Sequence, residues 1–241
     1  MFRGKRYWVI GASEGLGRAL AQELAHLGAT LILSARNEDR LKELAEKISG
    51  ADVVGMDVCD EAAVSEAAKR VGQLDGIIYC AGAYEPMKAQ NWDTQKINMM
   101  LDVNFSGVIR VLGQVLPTFV EKDAGHIVLI GSLAAYRGLP ASTGYGTSKA
   151  ALMHLGESLY ADLRNTGVSV QVVNPGFIQT RLTDKNEFRM PAIQTQQEAA
   201  MSVIAAMQRK KPVSSFPFLF SLFFRVGRFL PAGLFYRFMR R

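Results

Sequence analysis

Short apolar runs alternate along this chain with stretches in which apolar residues recur every three or four positions. That alternation is the pattern of strands separated by amphipathic helices. Tyr7 to Ile10 predicts a first strand, and a helix then runs to about Leu27, where Gly28 supplies the stop signal. Thr30 to Ala35 predicts strand two, and Leu41, Leu44, Ala45 and Ile48 form the buried stripe of the next helix. Further strands are expected at Val53 to Met56, Ile77 to Cys80, Ile127 to Ile130 and Val168 to Val173. A long helical region from about Thr94 to Glu121 carries Asn104, and a helix beginning near Tyr145 ends before Gly167. Strands that are apolar throughout are covered on both faces. The chain therefore reads as a single α/β domain built on a doubly wound parallel sheet. No internal repeat or flexible linker divides it. Residues 1–213 are expected to form the domain, and residues 214–241 a tail of amphipathic helices.

Composition adds bounds. At 241 residues, 49% of them hydrophobic, one domain can bury a substantial core. Cys59 and Cys80 make no disulfide framework, and the histidines at 26, 126 and 154 follow no metal-ligand spacing, so no metal is expected. Arg3, Lys5 and Arg6 lead into only a short apolar run before glycines begin; this predicts no signal peptide and a reducing, cytoplasmic setting. The net charge of +6 is unevenly placed. Eight of the 28 Lys and Arg residues follow Glu198 and no acidic residue does, which leaves 20 basic against 22 acidic residues in the body. The basic pI is a property of the tail, and nothing marks a nucleic-acid-binding body.

Two stretches carry chemistry. After strand one comes Gly11-Ala12-Ser13-Glu14-Gly15-Leu16-Gly17. Glycines there permit a tight turn and close backbone approach, and leave a helix N-terminus open to a phosphate, as in Rossmann-type dinucleotide sites. Arg36, just past strand two, suits a 2′-phosphate and favours NADP over NAD. The second stretch is Gly144-Tyr145-Gly146-Thr147-Ser148-Lys149. On a helix Tyr145 and Lys149 lie one turn apart on the same face. An ammonium beside the phenol would pull its pKa down from about 10 toward the working range. Tyr84 and Lys88 repeat the spacing, but Pro86 between them argues against a helix and against a role.

With these pieces placed, residues 5 to 213 resemble the short-chain dehydrogenase/reductase family. Gly11, Ser13, Gly15, Leu16 and Gly17 match its cofactor loop, and Asp57-Val58 the pair that meets the adenine. Ala81-Gly82 ends strand four where the family has Asn-Asn-Ala-Gly; Tyr79-Cys80 replace the asparagines, a change expected to loosen this strand. Asn104, Ser132 (thirteen residues before Tyr145), Tyr145 and Lys149 match the catalytic set. Pro175-Gly176, Ile178 and Thr180 resemble the segment around the nicotinamide. Departures are Ile10 in place of a threonine, Glu14 where many NADP-preferring members are basic, and the lack of a closing strand ending in Asp-Gly-Gly. The resemblance implies hydride transfer between NADPH and a carbonyl carbon. Tyr145 would move the proton, Ser132 hold the oxygen, Lys149 lower the tyrosine pKa and grip the ribose, and Asn104 anchor a proton-relay water. It also implies a homodimer or homotetramer.

The tail and the substrate loop shape the remaining expectations. Phe216 to Phe224 is a nine-residue apolar run, too short for the roughly 20 residues of a membrane span. On a helix Ser221, Arg225 and Arg228 group on one narrow side, while Leu219, Leu222, Phe223, Val226, Phe229 and Leu230 fill the other. After Pro231 a second short helix carries Leu234, Phe235 and Phe238 beside Arg237, Arg240 and Arg241. Three readings stay open: residues 216–241 contact the inner face of a membrane, lid the cleft or an oligomer interface, or dock an acidic acyl carrier. The loop from Phe177 to Gln197 holds Leu182, Phe188, Met190, Pro191 and Ile193 and favours a lipophilic carbonyl: a 3-oxoacyl, sphingoid, steroid or fatty aldehyde substrate. Alternatives are a small soluble or carrier-linked carbonyl, a non-catalytic NADP-binding regulator, and an epimerase or dehydratase, which would want a larger substrate domain.

Overall fold

Strands form where side chains on both faces are apolar. The computed structural model describes residues 1–48 and 50–238. In it β1 (Arg6–Ile10), β2 (Thr30–Ser34), β3 (Ala51–Val53), β4 (Gly76–Tyr79), β5 (Gly125–Ile130), β6 (Val168–Pro175) and β7 (Val213–Phe216) make one parallel sheet. The strand order is β3-β2-β1-β4-β5-β6-β7. Helices α1 (Gly15–His26), α2 (Glu38–Lys47) and α7 (Gln196–Arg209) cover one face; α3 (Glu61–Val71), α5 (Gly107–Glu121) and α6 (Thr143–Leu163) cover the other. Successive residues of a strand feed opposite cores: Val9 joins the first, while Trp8 and Ile10 join the second.

Helix starts follow local chemistry. Asn37, Asp60 and Asp93 each accept a backbone N–H as N-caps, and Thr195 forms a capping box with Glu198. The expected long helix is in fact α4 (Thr94–Leu101) and α5, joined by a single π-helical stretch, Asp102–Ser106, that carries Asn104. The third strand sits earlier than the pattern predicts, at Ala51–Val53. Beyond it Val54 and Met56 still donate to Leu33 and Ala35 of the β2 segment, so the ladder continues without regular geometry.

The sheet closes with a strand of another kind: β7 pairs in parallel with β6, Val213 opposite Val172 through Phe216 opposite Pro175. Its Val-Ser-Ser-Phe sequence lacks the Asp-Gly-Gly ending, as expected, and is short and half polar. One expectation about a strand fails: the loss of the two asparagines does not loosen β4. Tyr79 is fully buried and donates to the Val103 carbonyl at 2.6 Å, tying β4 to the π turn. Gly107 leaves the room, since a Cβ there would stand 2.5 Å from the Tyr79 hydroxyl.

At the opposite end of the sheet lies a buried polar chain. Tyr7 Oη donates to His126 Nδ1 at 2.9 Å, and His126 Nε2 donates to Gln171 Oε1 at 2.8 Å. The Gln171 amide nitrogen is spent on the carbonyls of Ala206 and Lys211, which fixes the amide orientation and with it the neutral Nε2–H tautomer. Burial holds the His126 pKa below its ordinary value. Below about pH 6.5 the unfolded chain therefore takes up a proton that the folded one refuses, and stability falls with pH. The melting midpoint should drop between about pH 7 and pH 5, and drop less in His126→Gln. Equal acid sensitivity in both proteins would acquit the imidazole.

Candidate active site

The carboxyl ends of β1 and β4 point into the crevice where strand order reverses, the place an open α/β sheet offers a ligand. Gly11 has φ +90°, and a Cβ there would lie 2.5 Å from the Ala81 nitrogen, so only glycine lets β1 turn this close to the end of β4. A Cβ on Gly17 would stand 2.1 Å from the Gly11 carbonyl oxygen. Thr180 rests against Gly15, its Cγ2 3.3 Å from where a Cβ would be. The structure thus brings Gly11, Ser13, Gly15, Leu16, Gly17 and Thr180 to one loop.

No side chain caps α1. Glu14, at the N-cap position, turns away to Arg181 and to Arg40, the latter at 2.6 Å. Hydrogen bonds from Arg181, then its charge and Arg40, hold the Glu14 carboxyl below the usual carboxylate range despite partial burial. The bare amides of the first turn and the glycine cradle fit a pyrophosphate. Around the rim, Arg36 is exposed just past β2, and Asp57 and Val58 follow the β3 ladder. Gly82 lies beside Asn104 and Lys149, 3.6 Å and 4.0 Å from its notional Cβ.

The catalytic candidates converge from three elements. Ser132 follows β5 and is held through its backbone N–H by Asn174 Oδ1 at 3.0 Å, a fully buried side chain from β6. Tyr145 and Lys149 stand on the first turns of α6, with the ammonium 5.9 Å from the phenol ring centroid. Lys149 is buried and donates to the Ile130 carbonyl at 2.8 Å. Burial pushes its pKa down to about 8. Burial also pushes the Tyr145 phenol up to about 12; the Ser132 hydroxyl pulls the other way, and Tyr84 and Cys80 add to the rise. The expected depression by the ammonium is therefore not what these residues produce: desolvation of both groups outweighs their proximity.

Asn104 spends its side chain on protein. It accepts from the Ala83 N–H at 2.7 Å and donates to the Ala83 carbonyl and to Ser148 Oγ, both at 2.9 Å. It thus locks the loop after β4 against α6. Pro175 ends β6, and Gly176 meets the tail, with Phe220 and Pro217 atoms each 3.2 Å from its notional Cβ. Ile178 is buried and bridges to Gln194.

Three contributors escape the sequence pattern. Tyr84, set aside with Lys88 because of Pro86, packs edge-on against Tyr145 with ring centroids 4.9 Å apart. Its hydroxyl donates to Asn186 at 2.7 Å, so the loop after β4 and the loop that carries Lys185 and Asn186 meet over the Tyr145 phenol, an approach reinforced by the Lys185–Glu85 ion pair. Pro86 does prevent the helix; the tyrosine reaches the site from a loop. Asn174 is the second, and the Glu14–Arg181 link the third. A polar residue directly after the apolar pair Val172-Val173, at the end of β6, was the available signal for Asn174.

Comparison with known proteins agrees with this geometry. The short chain dehydrogenase family model matches residues 5–190. The chain belongs to the short-chain dehydrogenase family. An uncharacterized oxidoreductase of Myxococcus xanthus (strain DK1622) is 34% identical over 235 residues, covering 94% of this chain and 93% of its own. Sulfoacetaldehyde reductase 2 of Chromohalobacter salexigens is 40% identical over 187 residues, 73% of each chain. A solved short chain dehydrogenase/reductase family protein superposes with a TM-score of 0.82 at 25% identity, over 88% of this chain and 95% of that one. This short-chain dehydrogenase is an oxidoreductase with a Rossmann-type sheet that binds NAD(P). Gly17→Ala should weaken dinucleotide binding at least about tenfold, because α1 must move off the Gly11 carbonyl or tilt away from the phosphates. Titration by quenching of protein fluorescence would measure it; unchanged affinity would mean that the loop is not the phosphate cradle.

Proposed function

We propose that the enzyme is an NADP-dependent reductase of a lipophilic ketone or aldehyde, with Tyr145 as the general acid. The observation that carries this reading is the meeting of Ser132, Tyr145 and Lys149 beside the glycine crevice, with the phenol pushed up to about 12 and so fully protonated at neutral pH. A proton donor is what carbonyl reduction needs, whereas alcohol oxidation would need the phenolate. Gly11, Gly15, Gly17 and the α1 amides would hold the pyrophosphate. Asp57 and Val58 would flank the adenine, and Ala81, Gly82, Pro175, Gly176, Ile178 and Thr180 the nicotinamide half. When bound, NADPH supplies the hydride for the carbonyl carbon. Tyr145 Oη gives its proton to the carbonyl oxygen, and Ser132 Oγ holds that oxygen where charge develops. Lys149, protonated below about pH 8, would steady that charge and grip the ribose.

NADP rather than NAD follows from Arg36, with Ser13 on the loop beside it. Arg40 is engaged by Glu14, which places the weight of 2′-phosphate recognition on Arg36. The lipophilic substrate follows from the aromatic wall: Phe177 lies 5.8 Å from both Phe188 and Phe220. A second reading, a small soluble aldehyde, is favoured by the relationship to a sulfoacetaldehyde reductase. Subunits would pair through the outer faces of α5 and α6, where Ile109 and Tyr160 are exposed, giving a homodimer or homotetramer. The reading also sets the enzyme in the cytoplasm.

NADPH oxidation across acyl, steroid, fatty aldehyde and sulfoacetaldehyde substrates would decide between the two substrate classes. Tyr145→Phe should lose about 10²- to 10⁴-fold in turnover while binding NADPH normally. In the wild type, the reduction rate should fall as pH rises through about 8, where Lys149 gives up its proton. A Tyr145→Phe enzyme that still turns over would remove the phenol from its role. Arg36→Asp should cost roughly 1.5–3 kcal/mol of NADPH binding, a loss of about 10- to 150-fold, with NADH spared; equal losses for both cofactors would show that Arg36 does not read the 2′-phosphate.

A further inference from the structure

We propose that the outward face of α8 (Phe218–Gly227) is a docking surface for an anionic lipid bilayer. The helical wheel groups Ser221 with Arg225 and Arg228 on one narrow side, and the structure separates them. Ser221, Phe224 and Gly227 face the body, and Ser221 Oγ is satisfied by the Phe218 carbonyl at 2.8 Å. Most of the other large apolar side chains are left outside: Leu219 and Phe229 are 80% and 82% exposed, and Phe218, Leu222, Phe223 and Val226 are exposed with them. Arg225 and Arg228, both exposed, flank this arc along one edge.

The orientation is built in rather than incidental. Arg137, from the turn after Ser132, donates to the carbonyls of Gly227 and Leu230 at the end of α8. Its guanidinium lies 4.6 Å from the ring centroid of Phe235, which α9 (Ala232–Phe238) buries against Gly227. One face of the helix is thus pinned to the body, and the other is presented as a fixed apolar surface.

Charge decides the occupant. No acidic residue follows Glu198 in the whole chain, so any partner for this surface must bring the negative charge. A second copy meeting it face to face would set Arg225 and Arg228 against their own counterparts. A leaflet rich in anionic headgroups supplies both the charge and the apolar layer beneath it. At ten residues α8 is half the length a span requires and would lie in the interface. Arg240 and Arg241, outside the described residues, add to the same charge in sequence. Phe220 joins this helix to Phe177 of the substrate loop, so a docked enzyme would hold its cleft beside the lipid. That corollary rests on the lipophilic substrate proposed above, whereas the docking itself does not.

The test is sedimentation of the full-length protein with vesicles of equimolar phosphatidylcholine and phosphatidylglycerol, and with phosphatidylcholine alone. The wild type should co-sediment with the anionic vesicles only, and release as salt rises toward about 0.5 M. Leu219→Ser with Phe229→Ser should lower partitioning at least about tenfold, with NADPH binding and melting midpoint unchanged. Arg225→Gln with Arg228→Gln should erase the preference for anionic lipid. No wild-type binding, or equal binding by the serine variant, overturns the proposal. So does a wild-type oligomer, seen by light scattering, that ignores vesicles and dissolves in the serine variant, because the occupant would then be a second copy. Vesicle binding is read without turnover, so its failure leaves the reductase reading standing, and the reverse also holds.

Discussion

Helices packed on both faces of a parallel sheet leave only the carboxyl edge of that sheet for chemistry, and a backbone approach too close for any side chain lies on that edge. Gly11 passes so near the peptide between Cys80 and Ala81 that no side chain fits. That approach opens the crevice between β1 and β4, points the amides of α1 into it, and sets the loop after β4 where Asn104 can hold it. From there the order of parts is forced. Asn104 fixes Ala83 and Ser148 together, Ser148 lies on the same helix as Tyr145 and Lys149, and Asn174 carries the Ser132 backbone to meet them.

Burial sets the protonation states at that meeting point. A phenol and an ammonium one helical turn apart are expected to stabilise each other's charged forms, and in water-filled surroundings they would. Here both lose water, and each is driven toward its neutral form: Tyr145 upward and Lys149 downward. The phenol keeps its proton. Tyr84 contributes by lying edge-on against the ring and adding to the rise. The same loop, through Asn186 and Lys185, joins the two walls of the cleft above the phenol.

The tail shows how a helical wheel can sort residues by side and still leave direction open. The wheel separates Ser221, Arg225 and Arg228 from the apolar residues, but it carries no information about which side meets the body. Packing chooses small residues for close approach. Gly227 admits the Phe235 ring, and Ser221 satisfies its hydroxyl within its own helix. Apart from Phe224, the bulky side chains that would have overfilled that seam are left outside, and Arg137 holds the arrangement by donating to the Gly227 and Leu230 carbonyls at the helix end.

By itself the sequence determined the alternation of strands and helices, the glycine loop and the one-turn spacing of Tyr145 and Lys149. Each of these is a local property, set by residue periodicity or by backbone freedom over a few positions. Tertiary structure decided the rest. Whether β7 would pair depended on β6 offering its free edge, whether Tyr84 would reach Tyr145 on where a distant loop folds, and the fate of Ser221 on which surface α8 met. The protonation of Tyr145 belongs to the same class: proximity along a helix is written in the spacing, but desolvation is a property of everything that surrounds it.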